Sequence, residues 1–242
     1  FEYLPPPCSR KNMAGTQSTP LLLDTKDSKG FLPPEKAKSE SETAAFYVKM
    51  ISFCLFVGLA LATGTYFAVW YFLPTQAKMI EKKLAFVREY NLGYVYVGWL
   101  VCYLSKVYST INASMARAPA RVDRPDQHVY QIMADSGPLS NAPFVMMMND
   151  GVIGRFNRAQ RASANLDESL PIFITGFVLH SPVFGAITTL PIALIYAFGV
   201  YKFSNDYKIN ATKRSTGFTI LVLAYYLNFS FVLLVAALTL SL

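Results

Sequence analysis

Five long apolar runs, separated by polar and charged segments, organise this chain. The first extends from Phe46 to Leu73 and stops at Pro74. The second covers Leu92 to Ala113 and carries Lys106 as its only full charge. The third, Val152 to Leu179, is polar in its first half and apolar in its second. The fourth, Val183 to Phe203, follows a tight turn expected at His180-Ser181-Pro182, and the fifth is Gly217 to Leu242. A bilayer span needs about 20 mostly apolar residues, so each run predicts a transmembrane helix. Residues 1–45 are polar and rich in Pro, Ser, Thr and Lys, and predict an extended tail that buries too little apolar area to fold alone. Residues 74–91 are a basic connector. Between the second and third runs lies a long loop, at whose end Met146-Met147-Met148 predicts a buried helix start.

Composition agrees. Of 242 residues 53% are hydrophobic and only 15% charged, and the mean hydropathy is +0.31. Soluble domains carry roughly 25% charged residues. The net charge of +7 does not point to nucleic acid, because Lys and Arg flank the apolar runs and form no continuous basic face. With the long loop counted through Arg161, sixteen of the 22 belong to the tail, that loop and the last loop, against four in the connector. The positive-inside rule therefore places the tail and both large loops on the cytosolic or equivalent side. Cys8, Cys54 and Cys102 have no paired spacing, and His128 and His180 no metal-ligand spacing.

The most informative segment runs from Phe156 to Glu168. At about 100° per residue, Arg158, Arg161, Asn165 and Glu168 share one helix face within an arc of roughly 80°. Charges at membrane depth rarely face lipid. They line a polar cavity, or they pair with a neighbouring helix in a network that only holds the helices together.

The pattern Phe156-x-Arg158-x-x-Arg161-Ala162-x-x-Asn165-x-x-Glu168, followed by Pro171, resembles the signature of the MAPEG superfamily, membrane-associated proteins in eicosanoid and glutathione metabolism. It is most similar to the microsomal glutathione transferases of the third type. Ala116-Arg117 with Arg121-Val122-Asp123 and Pro125, and Lys213-Arg214-Ser215-x-Gly217, resemble two further family segments in the same order. The resemblance implies an all-α membrane domain of four helices over 92–242, to which 46–73 adds an extra N-terminal transmembrane helix. It also implies a homotrimer holding glutathione as co-substrate between subunits, in an endoplasmic reticulum or mitochondrial membrane. Arg161, Asn165 and Glu168 would grip the tripeptide, Arg117 would reach in from the neighbouring subunit, Tyr207 would match a family tyrosine, and Arg214 would stabilise the catalytic thiolate. The implied activity is a glutathione transferase or peroxidase acting on lipophilic electrophiles or lipid hydroperoxides. Phe203 and Ser169 stand where family members carry tyrosines. The tail and the first run lie outside the resemblance and favour a second expectation, a non-catalytic accessory subunit of a larger membrane complex. A lipid-presenting scaffold is a third.

Overall fold

A computed structural model of the chain describes residues 31–123, 128–132 and 145–240. Cys8, the first part of the expected tail, and Arg124 and Pro125 of the long loop lie outside the described residues. Six long helices account for most of what is described: α1 (Glu40–Phe72), α2 (Pro74–Glu89), α3 (Gly93–Ala120), α4 (Gly151–Phe184), α5 (Ala186–Ile209) and α6 (Arg214–Leu240). A short antiparallel ribbon, β1 (Tyr130–Ile132) and β2 (Val145–Met147), precedes α4. Helices α1, α5 and α6 are long and apolar enough to cross a membrane, which makes this an integral membrane protein. Helices α3 and α4 match them in length and pack beside α5 and α6, with more polar side chains.

Local chemistry sets the boundaries. Helix α1 starts six residues before its apolar run because Ser39 and Glu42 close a capping box: Ser39 Oγ accepts from Glu42 N at 3.2 Å, and Ser39 N donates to Glu42 Oε2 at 2.8 Å. It ends where Pro74 begins the next helix at a position that needs no donor. The basic connector is thus helical, and it closes at Asn91, whose φ is 53°. Helix α3 stops at Arg121, a left-handed cap.

Two expectations are corrected. The chain does not turn at His180-Ser181-Pro182; α4 continues through Pro182. Proline cannot donate to the carbonyl four residues back, but Ser181 Oγ donates to that carbonyl, Val178 O, at 3.2 Å. The turn falls at Gly185, whose φ of 60° and ψ of −141° suit only glycine. The Met146-Met147-Met148 run is not a helix start either. Met146 and Met147 belong to β2, and Met148 N donates to Val129 O at 3.1 Å, so the segment is paired as a ribbon before α4 begins.

Helix α3 packs on α4 and α5, α4 on α5 and α6, and α5 on α6. Their shared core stacks Phe173 on Tyr196 at 4.3 Å, with Phe177, Ile192 and Val200 around them. Fully buried Cys102, Ala193 and Ala224 let the backbones approach closely, as small residues do between membrane helices. Helix α1 touches only α3 within this set, and it is tied to the rest through its first residue. Glu40 pairs with Arg155 at 3.0 Å and Lys208 at 3.3 Å. The start of α1, the start of α4 and the end of α5 therefore share one end of the molecule.

Candidate functional site

The buried side of α4 is built for structure. Asn157, 1% exposed, donates through Nδ2 to Val129 O and Met148 O, both at 2.8 Å, and accepts from Val129 N at 2.9 Å. It fastens the ribbon to the helix. Arg158 donates to Asn149 O, to Lys208 O at 3.3 Å and to Ile209 O at 3.1 Å. It satisfies carbonyls at the end of α5 that have no helical partner, so this member of the polar face serves the fold. Lys106, the one charge of the second apolar run, meets Asp167 at 2.7 Å and Ser163 at 2.9 Å. Sequence reasoning did not pair these residues. A charge in mid-helix was the available signal, since it demands a partner, but one helical pattern cannot say which neighbour supplies it.

The remaining polar residues of α4 point elsewhere. Arg161 and Glu168, two turns apart, form an ion pair of 3.6 Å with side chains 47% and 66% exposed. Asn165 and Glu168 line a groove of about 330 Å³ between α4 and α6, walled by Phe203, Phe218, Leu221 and Tyr225. At the basic end of this wall the Phe203 ring lies 5.5 Å from that of Tyr207. Arg214 Nη1 donates to the Tyr207 hydroxyl at 3.1 Å, and its guanidinium sits 5.0 Å over the same ring. Arg214 and Phe218 are one turn apart on α6, so the arginine stands at the mouth of the groove. Phe203 is 2% exposed. It contributes a ring to the wall and no hydroxyl. Ser169 also lines the groove, with its Oγ donating back to Asn165 O at 3.0 Å.

Of the six residues expected at the site, Asn165 and Glu168 line this groove, Arg161 meets it through its ion pair with Glu168, and Tyr207 and Arg214 meet it through Phe203. Arg117 does not. It sits at the end of α3, 4.8 Å over the Phe156 ring, and donates to Asp123 O at 3.0 Å. His128 lies within electrostatic reach of both Arg117 and Arg161. Burial first, then those two charges, hold its imidazole below the ordinary histidine pKa.

A tyrosine oxygen that accepts from an arginine keeps its own O–H to donate. With the guanidinium beside it, this pair can stabilise an anion at the mouth of the groove, while the carboxylate and carboxamide of α4 can hold an ammonium or amide group further along. Comparison of the chain with models of known protein families, and with curated proteins, finds no match.

Proposed function

We propose that this chain is a MAPEG-type membrane protein of five spans that binds glutathione in the groove between α4 and α6 and activates its thiol. One observation carries the reading. Asn165 and Glu168 line a single groove, Arg161 pairs with Glu168 at its edge, and the Arg214–Tyr207 pair stands at its mouth. Glutathione carries two carboxylates, an amine and a thiol. In this reading Arg161 engages a carboxylate by charge-assisted bonds, Glu168 takes the amine and Asn165 a peptide group. The thiol, with a free pKa near 8.5, loses its proton beside Arg214, which favours the anion. The thiolate sulfur then attacks a lipophilic electrophile and forms the sulfur–carbon bond, and the leaving group departs with the electron pair. In this reading Arg117, remote from the groove of its own chain, would serve the neighbouring subunit of a homotrimer. The basic end of the molecule faces the cytosol or its equivalent, in an endoplasmic reticulum or mitochondrial membrane.

The test is glutathione binding to the purified protein, followed through thiolate absorbance in the ultraviolet. Arg161→Ala is expected to weaken binding, losing a charge-assisted contact worth about 1.5–3 kcal/mol. Arg214→Ala is expected to bind glutathione and lose the thiolate signal, with a lowered maximal rate and little change in half-saturation. Absence of both binding and thiolate in the wild type refutes the proposal.

A second reading, an accessory subunit of a larger membrane complex, is favoured by α1: every residue from Ser52 to Ala68 is exposed. In that case glutathione does not bind, and the protein purifies from its membrane with other chains bound along α1.

A further inference from the structure

Helix α1 is held to α3 only near its start. Its partly or fully covered residues are Glu40, Thr43, Ala44, Tyr47 and Ile51, the spacing of one helix face. Beyond Ile51 that face opens, and no residue is covered again until Val69. At the far end the 16 residues of α2, about 24 Å of helix, separate the last turn of α1 from the first of α3. The two helices therefore diverge, and within a bilayer the space between them must be filled by apolar matter.

The closed end of this wedge is a cavity of about 290 Å³. Its apolar floor includes Leu32, Phe46, Tyr47 and Val122. Its rim carries Lys36, Lys38, Arg117 and Arg121 against one carboxylate, Asp123, among the described residues. The arginines are fixed: Arg121 donates to Leu32 O at 2.9 Å, and Arg117 is held over Phe156. The lysines are exposed, and among the described residues neither makes an ion pair. An apolar floor under a cationic rim, opening into an apolar cleft, matches an amphiphile with a negative head.

We propose that the junction of the tail, α1 and α3 is a binding site for the phosphate headgroup of an anionic phospholipid, whose acyl chains occupy the wedge between α1 and α3. The tail segment before α1 thereby gains a function, supplying Lys36 and Lys38 to the headgroup. A lipid is favoured over a free phosphate because the face of α1 that covers α3 near its start continues beyond Ile51 as exposed apolar surface, including Leu55 and Leu61. This site shares Arg117 with the function proposed above but involves neither the α4–α6 groove nor thiol chemistry, and its test, which varies Lys36 and Lys38 and reads lipid binding, is separate from that of the thiol reading.

The full-length protein in neutral detergent is titrated with phosphatidylglycerol, and in parallel with phosphatidylcholine of the same chains, by native mass spectrometry. Phosphatidylglycerol is expected to bind more tightly. Each basic residue near such a headgroup contributes about fivefold in affinity, so K36Q/K38Q is expected to lose on the order of twentyfold for phosphatidylglycerol and little for phosphatidylcholine. K78Q/K82Q, which removes two exposed lysines from α2, is expected to change neither. A short-chain phosphatidylglycerol is expected to bind at least about tenfold more weakly, and glycerol 3-phosphate not to compete. Equal affinity for the two lipids overturns the proposal, as does an equal loss in both double variants. Effective competition by glycerol 3-phosphate overturns the lipid assignment in favour of a soluble phosphate site. Unchanged melting temperatures for both variants establish that the comparison concerns binding and not folding.

Discussion

Gly217→Ala probes the contact that positions the mouth of the groove. A methyl group at Gly217 would lie 2.3 Å from Phe203 N, 2.5 Å from Phe203 Cα and 2.9 Å from Lys202 C. These are backbone atoms of α5 and cannot rotate away, so α6 must recede from α5 by about 1 Å to restore normal packing. Overpacking of this kind costs about 1–3 kcal/mol, while alanine returns roughly 0.8–1.0 kcal/mol of helix propensity over glycine. The net loss is up to about 2 kcal/mol, a fall of up to about 8 °C in melting temperature for a chain of this size. Arg214 lies three residues before Gly217, and the same recession stretches its 3.1 Å bond to Tyr207 beyond hydrogen-bonding range. Thermal unfolding in detergent, followed by intrinsic fluorescence, reads the first effect, and thiolate absorbance of bound glutathione the second. Gly64→Ala on α1, where an added methyl group meets nothing within 4 Å, is the control and should melt at or slightly above wild type. If Gly217→Ala melts together with the control, the close α5–α6 approach does not set the geometry and the reasoning fails.

Asn157→Ala removes three buried hydrogen bonds and is expected to cost about 2–4 kcal/mol; unchanged amide exchange at Val129 would contradict the fastening role. Glu40→Gln leaves Lys208, whose side chain is 7% exposed, without its charged partner. The loss should be about 1–3 kcal/mol, below the value for a fully buried pair because Glu40 is 26% exposed, and limited proteolysis before α1 should accelerate. His128 has a folded pKa lowered from 6.5. The unfolded chain therefore takes up a proton that the folded one resists, and stability falls as pH drops from about 6.5 to the lowered value, then flattens. His128→Gln should remove that slope from a melting series across pH 7 to 5.

The five apolar helices were legible in the chain because apolar length is a strong, local signal, and the interruption at Pro74 is local too; the helix α2 of the basic connector was not, because it carries no apolar run. Their ends were less so. Helix α1 gains its first turns from the Ser39–Glu42 box, and α4 passes Pro182 because one serine hydroxyl replaces a missing donor. Either effect outweighs the average tendency of the residue type. At the candidate site, periodicity identified Arg161, Asn165 and Glu168 on one face of α4. It could not separate them from Arg158, which sits on the same arc but bonds to carbonyls of α5, because that distinction depends on which element ends nearby. Nor could it reveal that Glu40, outside any motif, ties the first helix to α4 and α5.

Two of the ion pairs of α4 bear on what its polar face is for. A network whose only task is to join helices closes inside the chain, as Lys106 does with Asp167 and Ser163. Arg161 and Glu168 do the opposite: they bond within α4, and among the described residues their side chains stay 47% and 66% exposed. Glu168 stands about 25 Å along a 34-residue helix. In a membrane-crossing α4 an exposed carboxylate at that depth is costly against lipid, and its own arginine, at 3.6 Å and half exposed, offsets only part of that cost. A ligand with matching charges, a neighbouring copy, or both would complete the surface. The groove beside it is walled by Phe203, Phe218 and Tyr225 rather than by further charges, so it suits a molecule that is ionic where it meets α4 and apolar where it meets α6. That division along one helix, structural pairing inward and an exposed ion pair outward, is the feature on which the proposed function rests.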